Sequence, residues 1–116
     1  MTPDERRRHF DYVAGRGCAI CGQWPALHHA YGPSMQERGI DKGMGRKVSD
    51  WLVIPLCHDH HQGRHGIHTL GVRAWEEQFR PQSGILDDIG ADLGLDLFAL
   101  ALAEEKSPRR RASDAR

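Results

Sequence analysis

The sequence predicts a small α+β domain in which two short strands and several helices surround knots of metal-binding residues. Three observations carry this. The three cysteines and most of the eight histidines fall in two knots, Cys18-Ala-Ile-Cys21 through His28-His29 and Cys57-His58-Asp59-His60-His61 through His68. Apolar residues at helical spacing flank those knots. Between them, two strand-like segments border a long connection that contains glycine and proline.

Each element follows from local chemistry. Pro3 to Ala14 reads as a short helix, with Pro3 near its start, Asp4 and Glu5 in the first turn, and Phe10 and Val13 facing inward to brace the first knuckle. His28 and His29 lie on a strand. Residues 31–49, with four glycines and Pro33, form a longer structureless connection than a compact domain usually tolerates without a functional reason. Asp50-Trp-Leu-Val-Ile-Pro-Leu is the second strand and runs into Cys57, and a histidine-bearing helix follows. Thr69 is expected to cap a helix through Phe79, whose Val72, Trp75 and Phe79 form one apolar stripe of core. Over residues 83–103, opened by Ser83, the residues Leu86, Ile89, Leu93, Leu97 and Leu100 recur at helical steps, with Gly90 and Gly94 as weak points. Ile85, Leu95, Phe98 and Leu102 broaden that apolar face, so this helix either buries itself deeply or pairs with a second copy as a homodimer. Lys106 to Arg116 reads as a disordered basic tail able to help hold nucleic acid. The expected boundaries are therefore 1–80 for the metal-binding core with its N-terminal helix, 81–104 for a C-terminal helix, and 105–116 for the tail.

A tetrahedral zinc takes four ligands, usually from two knuckles far apart in sequence. Cys18, Cys21, Cys57 and His60 make such a set, and an odd number of cysteines argues against a disulfide framework. Four ligands close that coordination sphere, leaving His28, His29, His61, His65 and His68 for another role. Imidazole either ligates a metal or takes a proton near neutral pH, its ordinary pKa being about 6.5. Adjacent His28 and His29 point to opposite faces of a strand, so a bulge is expected if both serve one site. On a helix, His61 and His65 share a face one turn apart, a spacing at which two imidazoles can share an ion.

In this order of knuckle, histidine pair, strand, knuckle and histidine helix, the chain resembles the HNH nucleases. The matching stretches are Cys18-Ala-Ile-Cys21, Ala26-Leu-His-His-Ala30, Asp50 to Cys57, and His60-His61. Met44-Gly-Arg-Lys-Val-Ser-Asp50 and Gly66-Ile-His-Thr-Leu-Gly71 look most like the small phage-encoded branch that includes the recombination-enhancement, RecA-dependent nuclease. The likeness covers about residues 15 to 80. It implies a ββα-metal (His-Me finger) core with flanking helices, His28 and His61 as ligands of a catalytic divalent ion, and His29 as general base. The third ligand stays open. His65 has the spacing if the helix runs on, whereas the family's Gly-Ile-His element points to His68; seven residues of unbroken helix would put His68 about 10 Å from His61, which favours His65. The family's middle Asn falls at Leu52 here, and Asp50 is the nearest replacement.

The implied reaction is hydrolysis of DNA phosphodiesters, leaving a 5′ phosphate. Among candidate catalytic ions, manganese, nickel and zinc suit an imidazole-rich site better than magnesium does. Sixteen basic against sixteen acidic residues give no global pull on nucleic acid. Residues 1–80 hold eleven Lys or Arg against nine Asp or Glu, and residues 81–105 hold six acidic residues and no basic one. DNA contacts are therefore expected locally, at the Arg6-Arg7-Arg8 run and through Arg38, Lys42, Arg46 and Lys47 of the long loop. A phage or prophage enzyme of recombination or DNA processing, working with a recombinase filament or packaging complex, fits the resemblance. The competing expectation is a zinc-stabilised nucleic-acid-binding or adaptor module without cleavage, for which the surplus histidines have no use. The charged first fifteen residues and the lack of a long apolar run lead us to expect the cytoplasm, that of a bacterial host, and no membrane partner.

Overall fold

The computed structural model describes residues 1–41 and 48–106. Helix α1 (Pro3–Gly15) begins where the sequence supplies its N-terminal devices. The Thr2 hydroxyl accepts the Glu5 N–H at 3.0 Å, and the Glu5 carboxylate accepts the Thr2 N–H at 2.8 Å, a reciprocal cap with Pro3 in the first turn. The helix buries Val13 and, in addition, His9. The Nε2 of His9 lies 3.2 Å from the Trp51 carbonyl, and its ring sits edge-on to the indole with centroids 5.1 Å apart. Burial holds the His9 pKa below the usual imidazole value. A neutral ring donating Nε2–H to Trp51 therefore pins α1 beside the second strand.

Gly17, at φ +80°, turns the chain out of α1 into the first knuckle. A Cβ there would sit 2.8 Å from the Gly22 carbonyl, so only glycine lets the knuckle close on itself. Strand β1 (Ala26–His29) then pairs antiparallel with β2 (Val53–Leu56), placing His28 opposite Ile54 and His29 opposite Val53. Every residue of β2 is buried, whereas β1 buries only His28. Two strands this short do not stand alone. Helices α1 and α6 (Gln82–Leu93) both pack on β2, and the core gathers Val13, Leu52, Ile54, Leu56, Trp75, Leu86 and Ile89 around it. Pro55 has no N–H to give, but its carbonyl accepts the Ala19 N–H at 2.8 Å and ties the knuckle to the strand.

Three sequence expectations are corrected. The connection after β1 is not structureless: Pro33 starts a short helix α2 (Pro33–Gln36) that buries Met35, and Ile40 and Val48 are buried beside it. The expected single helix from Thr69 to Phe79 is two, α4 (Ile67–Leu70) and α5 (Val72–Gln78), because Gly71 at φ +89° breaks it. Thr69 caps neither; its hydroxyl donates to the Gln62 carbonyl at 3.1 Å. The long 83–103 helix also divides, with Gly94 in the left-handed conformation at the end of α6 and α7 (Leu97–Lys106) folding back. That fold-back buries Leu97, Phe98 and Ala101, so the broad apolar face is covered within the chain and leaves Leu95 as its exposed large residue. A second copy is not needed to cover it. Among the described residues, no helix is long and apolar enough to cross a membrane.

Two glycines of α6 test this packing with opposite signs. A Cβ on Gly90 would meet the Leu95 carbonyl at 2.6 Å, whereas on Gly84 it would meet only the flexible end of Arg80 at 3.1 Å. Alanine in a helix interior usually gains about 1 kcal/mol over glycine. Urea denaturation should show Gly84→Ala neutral or more stable, and Gly90→Ala less stable by about 1–3 kcal/mol through overpacking. Equal gains at both positions would contradict the fold-back.

Candidate metal centres

The first centre joins the knuckle to the corner between β2 and helix α3 (His58–His61). Cys18 and Cys21 come from the knuckle, Cys57 caps α3, and His60 lies on it. The Cys21 and Cys57 sulfurs are 3.6 Å apart, and the His60 Nδ1 is 3.2 Å from the Cys57 sulfur and 3.8 Å from that of Cys18. Bonds of about 2.3 Å to sulfur and 2.0 Å to nitrogen demand tetrahedral edges of roughly 3.3–3.8 Å. The separations match a tetrahedral ion and are too long for a disulfide, whose sulfurs lie about 2.05 Å apart. Burial works against ionising Cys18, but backbone N–H groups of Cys57, Cys21 and Ile20 outweigh it and lower the thiol pKa toward the thiolate that a metal requires. Phe79 meets the His60 ring edge-on at 5.1 Å and fixes its plane. This Cys3His set can hold a structural metal such as zinc.

A second group brings together His28 of β1, His61 of α3 and His68 of α4. His28 Nδ1 lies 3.2 Å from His61 Nε2, which is 3.1 Å from His68 Nε2. Nitrogens bound at about 2.1 Å to one ion stand roughly 3.0–3.4 Å apart, so these three can share one. Burial pushes the His28 pKa down to about 3, with His61 and His68 adding to the effect. His61 is lowered as well, by burial and then by His68 and His58. These two imidazoles therefore present neutral, ligand-ready nitrogens at physiological pH.

The structure brings His68, and not His65, together with His28 and His61. Helix α3 ends at His61, so one-turn spacing no longer relates His61 to His65. The His65 Nδ1 instead lies 2.9 Å from the Asp59 carboxylate, whose other oxygen accepts the His65 N–H at 3.3 Å. Gly66 brings His68 back: a Cβ there would sit 2.7 Å from the His61 carbonyl, so only glycine lets α4 approach α3 this closely. The 10 Å separation of an unbroken helix is removed by that turn.

His29 stands beside the triple-imidazole group. Its Nε2 lies 2.8 Å from an Asp50 carboxylate oxygen, and Phe10 meets its ring edge-on at 6.4 Å. Arg6 reaches to 3.8 Å from the other Asp50 oxygen. A cavity of about 330 Å³, lined by Leu27, Tyr31 and Val48 with His28, His29, His61 and His68, holds both histidines of the pair. No bulge is needed, because β1 ends at His29 and the register runs unbroken through it. Sequence reasoning offered Asp50 only as the nearest replacement for the family's Asn and did not foresee this contact; a carboxylate 21 positions away gives no periodic signal. It also missed Gln82, fully buried behind His28.

Of the expected DNA-contacting residues, Arg38 is exposed and turned toward α6. It makes a two-pronged ion pair with Asp87 at 2.6 and 3.1 Å and lies over the Phe98 ring at 4.8 Å. Lys42, Arg46 and Lys47 fall outside the described residues. Compared with family models, curated proteins and solved structures, the chain finds no match, so function is read from these sites.

Metal stoichiometry separates the two candidates for third ligand. Protein refolded with excess zinc and then desalted should carry two equivalents by mass spectrometry, His65→Ala should keep both, and His68→Ala should keep only the sulfur-bound one. The reverse pattern would restore His65.

Proposed function

We propose that this chain is a metal-dependent DNA endonuclease of the HNH, ββα-metal type. The observation that carries the reading is His29, held at 2.8 Å by Asp50, opening into the same cavity as His28, His61 and His68. A binding module held by the Cys3His set alone has no use for a second imidazole cluster with an adjacent carboxylate-held histidine.

The residues assign themselves to the needs of phosphodiester hydrolysis. Asp50 accepts Nε2–H from His29, which leaves the Nδ1 lone pair to take a proton from water, and the carboxylate then stabilises the imidazolium that forms. His28, His61 and His68 supply three nitrogens on one side of the cavity and leave its open side for substrate. A divalent ion bound there supplies Lewis-acid stabilisation of the phosphate and the departing oxygen. Three imidazoles favour manganese, nickel or zinc over magnesium. Arg6, half-exposed beside Asp50, offers a cation to the DNA backbone. The polymer being DNA, the 5′ phosphate product and a phage setting in recombination or DNA processing rest on the resemblance of the motifs.

Plasmid nicking in manganese tests the reading. The wild type should convert supercoiled plasmid to open circle, and His29→Ala should slow this by about 10²–10⁴-fold, the usual worth of a general base. A zinc-loaded wild type that binds DNA but never nicks it would turn the assignment to a zinc-stabilised binding or adaptor module.

A further inference from the structure

Gln82 is an anomaly of the core: a primary amide with none of its side chain exposed, at the first residue of α6. Its amide nitrogen is fully used, donating to the Tyr31 carbonyl at 2.6 Å and to the Glu76 carboxylate at 3.1 Å. Two acceptors on that side fix the orientation of the group, since a flipped amide would set its oxygen against a carbonyl and a carboxylate. Glu76 is itself held in place, accepting from the Gln82 N–H at 2.9 Å and from the Ser34 hydroxyl. The Gln82 oxygen must therefore face away from them, and it is buried with no hydrogen-bond partner.

A complementary orphan lies on the metal-binding side. His28 is 4% exposed, and its Nε2, the ring nitrogen not directed at His61, is also buried with no partner. A buried polar atom without a partner costs about 1–3 kcal/mol, so a donor and an acceptor orphaned in the same part of the core would each gain by meeting. Tyr31 links the two, holding Gln82 by its carbonyl and lying against the His28 ring with centroids 5.7 Å apart.

We infer that Gln82 is a positioning residue for the imidazole metal centre: its carbonyl takes the Nε2–H of His28, fixing the tautomer whose Nδ1 lone pair faces His61 and His68. A ligating histidine needs its second nitrogen held in this way, because the held proton decides which nitrogen is free and which way the ring faces. The Ser34–Glu76–Gln82 chain is then the support of the centre, anchored on α2, α5 and α6. The inference rests on the reading of His28, His61 and His68 as a metal centre and is independent of cleavage.

Two measurements test it. Long-range ¹H–¹⁵N correlation on metal-free wild-type imidazoles at pH 7, with zinc kept at the cysteines, should show His28 as the Nε2–H tautomer. The Nδ1–H tautomer would overturn the inference whether or not any variant folds. Calorimetric titration of Ni²⁺ into zinc-loaded protein should then show Gln82→Met binding about 10–100-fold more weakly than wild type, the usual cost of losing such a partner. A folded Gln82→Met with wild-type affinity, or a wild type that takes up no second ion, would equally sink it. Failure of plasmid nicking with the Nε2–H tautomer and the affinity loss both present would remove the nuclease reading alone.

Discussion

The structure depends on one tetrahedral tie. Cys18, Cys21, Cys57 and His60 are placed to share one metal, and an ion there would fasten a knuckle between α1 and β1 to the corner where β2 turns into α3. The sheet between these points is one pair of four-residue strands, too little to hold its own register. Zinc bound by such sets contributes on the order of 10–16 kcal/mol at neutral pH, comparable to the whole stability of a small domain. The hydrophobic core packs around the same corner, with α1 clamped by His9 on one flank, α6 over β2, and α7 folded back on α6.

The same tie aims the second centre. His60 and His61 are consecutive on α3, so fixing the His60 ring against sulfur and Phe79 sets the direction of His61, about 100° further round the helix. Two residues beyond the Ala26–Leu56 pair, the register delivers His28 to the same corner. Gly66 returns His68 to complete the cluster. One face of the corner thus carries the sulfur-rich set, and the other is open to a cavity that His29 also lines. Two sets of candidate ligands, one largely closed and one open, are built on adjacent residues of α3.

Much of this was legible in the sequence, and the reasons are specific. Ligand spacing is short-range information, so Cys18, Cys21, Cys57 and His60 could be chosen from the chain alone. The apolar period of Val72, Trp75 and Phe79 likewise identified packed residues. What failed was continuity. Gly71 and Gly94 each break a period that reads as one helix, because a hydrophobic stripe persists through a turn that folds back on the same core. The choice between His65 and His68 turned on the same point, whether the helix runs on past Gly63 and Gly66, and the turn at Gly66 is what brings His68 to His61. Long-range polar partners left no trace at all: Asp50 on His29, Gln82 behind His28 and Asp87 on Arg38 are set by tertiary packing, and a charge pattern cannot show which cation is already spent.

Zinc K-edge X-ray absorption on protein loaded with one equivalent of zinc addresses the tie most directly. The account predicts a four-coordinate ion with three sulfurs near 2.3 Å and one nitrogen near 2.0 Å. A shell of nitrogen and oxygen alone, with the thiols still free to react, would contradict it.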